Sequence, residues 1–208
     1  MAKEHTAVDF GSGSTLKIIF RLAPPVMLAQ LIQAMYNIID SFFIGRFSEE
    51  GLTALSIIYP IQLLMIALGV GTGVGINTLM AHYLGIGRKK RSDDCAGIGP
   101  ALAIAMWLIF ALICYIIMPA YAKMSTSSAK IIEYTISYGR IVSVFSIGLF
   151  AESVWTKVLQ AEGNMKTPMI AQIAGAIVNI ILDPILIWGL GKIPPLGIAG
   201  AAYATVIG

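Results

Sequence analysis

The sequence predicts an all-α fold: a polytopic bundle of membrane-crossing helices, with five full spans and the start of a sixth. Three observations carry that reading. The 208 residues are 57% hydrophobic and only 12% charged, with a mean hydropathy of +0.82, whereas a soluble domain carries roughly 25% charged residues. The charges are clustered, and the runs between them are long enough for the ~20 apolar residues that cross a bilayer. Finally, runs such as ALAIAMWLIF, Ala101–Phe110, lack the two-residue alternation that a membrane β-barrel requires.

Taken in order, residues 1–15 form a polar, Gly/Ser-containing tail. The apolar run after it is too long for the short core of a secretory signal peptide, so it reads as the first span, Leu16 to Ile44. The second span runs from Leu52 to Tyr83, the third from Ala96 to Tyr121, the fourth from Ile131 to Leu159 and the fifth from Pro168 to Leu190. A sixth begins near Leu196 and is still apolar at Gly208. Its length gives about 20 Å of helix, short of a crossing, so the chain is expected to be cut within an element of a longer protein. Residues 16–208 then form one helical lobe.

Lys and Arg set the orientation. Lys3, Lys17, Arg21, Arg88, Lys89, Lys90, Arg91, Lys157 and Lys166 fall on one side; Arg46, Lys123, Lys130 and Lys192 fall on the other, and Arg140 lies inside the fourth span. This bias places the amino terminus in the cytoplasm. The run Arg88–Arg91 sits between two apolar segments and has no groove-reading or base-stacking partners, which argues against nucleic-acid binding. Cys95 and Cys114 have no metal-ligand spacing, and His5 and His82 stand alone.

Polar residues recur inside the spans at helical intervals. In the first, Gln30, Gln33, Asn37 and Asp40 fall on one narrow face, with Tyr36 one turn before Asp40. In the fifth, Gln172, Asn179 and Asp183 share a face. Asp40 and Asp183 lie at about the same height, some 7–9 Å inside the outer boundary. Each carboxylate at depth costs about 2.5–3.5 kcal/mol. The bland reading of each is a structural hydrogen-bond partner or a solvated group near the interface; the functional one is a carboxyl group that loads a proton on one side and releases it on the other, in a watered cavity shared by the two stripes.

The fourth span carries Tyr134, Ser137, Tyr138 and Arg140 in its outer half and Glu152 in its inner half; Arg140 reads equally as a counter-ion or as a snorkelling side chain. The stretch GVGTGVG, Gly69–Gly75, lacks the GxGxxG spacing and a preceding strand, so its GxxxG pairs, Gly69/Gly73 and Gly71/Gly75, read as close-approach or bending positions. Pro24 and Pro25 remove two backbone donors and should kink the first helix, with a hinge as the functional alternative.

The set YNIIDSFFIG, LTALSIIYPIQLL, GVGTGVGINTLMAHYLG, LQAEGNMKTPM, AIVNIILDPILI and GIAGAAYAT resembles the multidrug and toxic compound extrusion (MATE) family, over nearly the whole chain from Leu16. The resemblance implies half of a two-lobe, twelve-helix transporter of the cell membrane that exports cationic or amphipathic compounds in exchange for protons or sodium ions. It also implies a cation site, a possible sodium site, at Asp40, Asn179, Asp183 and Thr205. The cavity would be lined by Tyr36, Asn37, Gln33 and Tyr138, with Pro25 as a bending proline. No cofactor is implied; the partners are small substrates, membrane lipid and a second six-helix lobe.

Three rivals remain at this stage. A lipid-linked sugar flippase would want a more basic cavity than these acid and amide stripes. An intramembrane aspartyl protease would pair Tyr-Asp with Gly-x-Gly-Asp, but Ile39 precedes Asp40 and Leu182 precedes Asp183. A non-transporting membrane module is the third. Without them the expectation is a transporter rather than an enzyme.

Overall fold

The structure, a computed structural model, describes residues 15–191 and 194–208. The tail to residue 14, and Lys192 in the last connection, lie outside the described residues. Among the described residues seven helices follow one another: α1 (Thr15–Phe47), α2 (Glu49–Gly85), α3 (Lys89–Ser125), α4 (Ala129–Val144), α5 (Ile147–Ala161), α6 (Lys166–Trp188) and α7 (Ile198–Ile207). Four of them, α1, α2, α3 and α6, are long and apolar enough to cross a membrane, and α4 with α5 supplies a fifth if that bent pair is one span. At 10 residues, α7 is about 15 Å long.

The helix ends explain much of the order. α1 and α2 are joined by Ser48 alone, whose extended backbone starts α2 and whose hydroxyl accepts from the Gly51 amide at 3.2 Å. That is an N-cap, and Glu49 and Glu50 in the first turn face the positive end of the helix dipole. The Ser48 hydroxyl donates to Glu50 at 2.6 Å, and Glu50 pairs with Lys130 at 3.2 Å, which ties the start of α2 to the start of α4. At this same end Tyr121 of α3 donates to the Ile57 carbonyl at 2.7 Å. Arg88–Arg91 and Lys166 mark the other end, called the basic end below. α3 begins at Lys89, so the run expected to be a loop supplies the first turn of α3.

The fourth expected span is broken. α4 and α5 meet at 45° across Phe145 and Ser146, with no proline in the sequence there. The break frees backbone carbonyls, and side chains take them up: the Trp107 indole donates to the Val144 carbonyl at 2.9 Å, and the Ser146 hydroxyl to the Ser143 carbonyl at 2.7 Å. An interrupted helix at depth survives only when its carbonyls are re-satisfied in this way. The expected kink at Pro24 and Pro25 does not end its helix: α1 is one helix through both prolines.

The core is built from Ile44, Ile58, Met80, Met118, Phe150, Val154 and Ile187, all buried. The two GxxxG pairs separate. Gly73 packs against α5, where a Cβ would stand 2.7 Å from the Ser153 carbonyl oxygen and 2.8 Å from Lys157 Cγ. Among the described residues Gly71 and Gly75 face nothing within 4 Å, so of the two pairs Gly69/Gly73 is the one that packs helices there. α6 and α7 are similarly close: the Leu196 and Gly197 amides donate to the Leu186 and Ile187 carbonyls at 3.0 and 3.1 Å. A Cβ on Gly200 would collide with the Leu186 carbonyl.

Candidate functional site

α1 and α6 run side by side, and their polar residues meet. Asp40 is 5% exposed and Asp183 0%, and their carboxylates are close enough to repel when both are charged. The Tyr36 hydroxyl lies within the field of both acids, and Tyr138 of α4 within the field of Asp40. Tyr138 is buried and its hydroxyl lies 3.5 Å from that of Thr205 on α7. Gln62 of α2 lies near the same Tyr138 hydroxyl. Five helices therefore contribute to one polar cluster near the end opposite the basic one.

The sequence folds this way for local reasons. Asp40 lies one turn before Ile44, which is fully buried in the core, so helical spacing turns the carboxyl inward with it. Asn179, Asp183 and Ile187 repeat every fourth residue, and all three are buried. Thr205 also donates back to the Ala201 carbonyl at 3.0 Å, which leaves its lone pairs for the cluster.

The hydrogen-bond accounting sets this cluster apart. Asp40 Oδ1, both Asp183 oxygens, and Asn179 Oδ1 and Nδ2 are buried without a hydrogen-bond partner, as are Thr135 Oγ1 of α4 and, elsewhere, Ser92 Oγ and Arg140 Nε. Buried polar groups are nearly always paired, and each orphan costs about 1–3 kcal/mol. Carboxylate, amide and hydroxyl oxygens with free lone pairs fit a proton or a hard monovalent cation. Among the described residues no group of three His, Cys, Asp or Glu side chains converges, so the donor set is two acids with neutral oxygens.

Not all the expected residues join. Asn37 and Gln30 are exposed and Gln33 is half-buried, so the first-span stripe turns only Asp40 fully inward. Pro25 lies away from the acids, at a second polar cavity of about 90 Å³ between α1, α5 and α6, which also holds Gln30, Glu152, Lys157, Gln160 and Gln172. Gln62 and Thr135 were missed by the sequence reading. Gln62 is flanked by Ile61 and Leu63 on α2, whereas Thr135, three residues before Tyr138, shares a face with it by helical spacing. Arg140 stacks over the Tyr115 ring, with its guanidinium carbon 4.3 Å from the ring centroid, and donates to the Tyr115 carbonyl at 3.4 Å; it is no counter-ion of the two acids.

A model of the MatE family matches residues 25–185. Over 184 residues the chain is 27% identical to the probable multidrug resistance protein YoeA of Bacillus subtilis, covering 88% of this chain and 40% of that protein. It is 26% identical over 195 residues to an FAD transporter of Shewanella oneidensis, covering 91% and 42%. A solved MOP superfamily transporter from Pyrococcus furiosus superimposes with a TM-score of 0.87 at 28% identity, over 94% of this chain and 42% of that one. The chain thus spans less than half the length of these relatives. Because the relatives' own substrates differ, similarity alone does not choose one.

Proposed function

The chain belongs to the MatE family, and from that premise we propose that it is the amino-terminal lobe of a secondary antiporter. The whole protein exports cationic or amphipathic compounds across the cell membrane in exchange for protons or sodium ions. The observation that carries this reading is the buried, unpartnered oxygen cluster of Asp40, Asn179 and Asp183, with Thr205 beside it. Two carboxyl groups held at insertion costs of about 2.5–3.5 kcal/mol each, without a structural hydrogen bond to show for it on Asp183, are explained by a cation that binds there.

Each residue has a part. Asp40 and Asp183 supply the negative charge, and a single proton or monovalent cation relieves their mutual repulsion. Asn179 and Thr205 supply neutral oxygens that complete the site. Tyr36 and Tyr138 close the cavity wall, and the tie from Tyr138 to Thr205 links α4 to α7 when the site is formed. Asn37 supports a second lobe: an amide exposed at depth on α1 does not face hydrocarbon without cost, so that face borders a wet cleft or the opposing half. Nine Lys and Arg on the basic side against four on the other support a cytoplasmic basic end and amino terminus.

Export of an organic cation from vesicles holding the complete protein tests the reading. An imposed proton or sodium gradient should drive export, and one of the two ions should suffice. Export that ignores both gradients would end the proposal.

A further inference from the structure

The 90 Å³ cavity toward the basic end has no part in the cation site, and its polar lining has its own logic. Glu152 projects from α5, where one oxygen, Oε1, accepts from the Thr156 hydroxyl at 2.6 Å and from the Gln172 amide at 2.9 Å. Those bonds fix the carboxylate in place. Lys157, five residues further along α5, lines the same cavity and donates only to Gln160 Oε1, at 3.0 Å. The two are not paired with each other: among the described residues the one ion pair is Lys130–Glu50. Gln30 of α1 completes the polar lining.

A carboxylate and an ammonium that share a cavity and leave each other alone suit a ligand that carries the complementary pair. We propose that this cavity binds the head of a zwitterionic amphiphile, its ammonium at Glu152 and its carboxylate at Lys157, with the three glutamine amides filling the remaining hydrogen bonds. A cavity of about 90 Å³ holds several waters and admits an amino-acid-sized head. Met165 and Met169 line the same space, and methionine adapts to apolar tails of varied shape. The inference rests on reading this bundle as a transporter lobe, and it names a substrate class that the acid cluster alone does not.

Three matched fluorescent probes test it on the purified protein in lipid nanodiscs. Nε-dansyl-lysine presents a zwitterionic head, its methyl ester a cation and its Nα-acetyl derivative an anion. The zwitterion should bind at least tenfold more tightly than either. Glu152→Gln should weaken the zwitterion and the ester tenfold and spare the acetyl form; Lys157→Gln should weaken the zwitterion and the acetyl form and spare the ester. The opposite patterns certify that each variant is folded. An ester that binds as well as the zwitterion and ignores Lys157→Gln would make this a plain cation site, and three indistinguishable probes would remove the site altogether. Binding without a gradient reads this cavity alone, so its failure is separable from failure of gradient-driven export.

Discussion

Asp183→Asn separates a coupling site from a structural acid because the two readings predict opposite signs. The side chain is fully buried and neither oxygen has a partner. An amide of the same size loses no hydrogen bond and removes the cost of a carboxylate at depth, about 2.5–3.5 kcal/mol as an upper bound. For a chain of this length each kcal/mol is worth roughly 2–4 °C in melting temperature, so the variant should melt higher, by up to about 14 °C by the same conversion. Its export should nevertheless fall to the level of passive leak, because the site has lost a charge. Thermal unfolding in detergent gives the first number and gradient-driven export from vesicles the second. A variant that melts lower would show that the carboxylate holds the fold together, and one that exports normally would remove Asp183 from the coupling site; either refutes the reasoning.

Two further outcomes follow from the packing. Gly200→Ala places a methyl against the Leu186 carbonyl and should cost about 1–3 kcal/mol by overpacking, whereas Gly71→Ala meets nothing within 4 Å and should be neutral or stabilising by up to ~1 kcal/mol through helix propensity; a pair of melting curves decides. Trp107→Phe keeps an aromatic ring and loses the 2.9 Å, part-buried bond to the Val144 carbonyl, which should cost about 0.5–1.5 kcal/mol and speed hydrogen exchange in the turn around Phe145.

The membrane helices and the inward turn of both acids were legible in the sequence, because length, hydropathy and a 3.6-residue period act within one helix. Asp183 and Asn179 could be paired by spacing alone. What escaped depends on contacts between helices. The break at Phe145 has no proline to announce it; it persists because Trp107, on another helix, takes up the freed carbonyl. Likewise Gln62 is unremarkable in its own turn and acquires meaning only beside Tyr138 of another helix. Asn37 shows the converse: its spacing matched the stripe, yet its side chain is exposed, because four positions on one face do not all point at the same neighbour.

The separation of the two polar sites has an electrical consequence. Gln30 precedes Asp40 by ten residues on α1, and Gln172 precedes Asp183 by eleven on α6, so the two sites lie about 15–17 Å apart along the bundle. That is roughly half of the ~30 Å hydrocarbon thickness. A unit charge handed from one level to the other would traverse about half the transmembrane voltage drop, near 1.1 kcal/mol at 100 mV given ~2.3 kcal/mol for a full crossing. Occupancy of the two levels would then be weighted differently by the resting potential: a ligand of zero net charge moving between them is indifferent to voltage, and a bare cation is not.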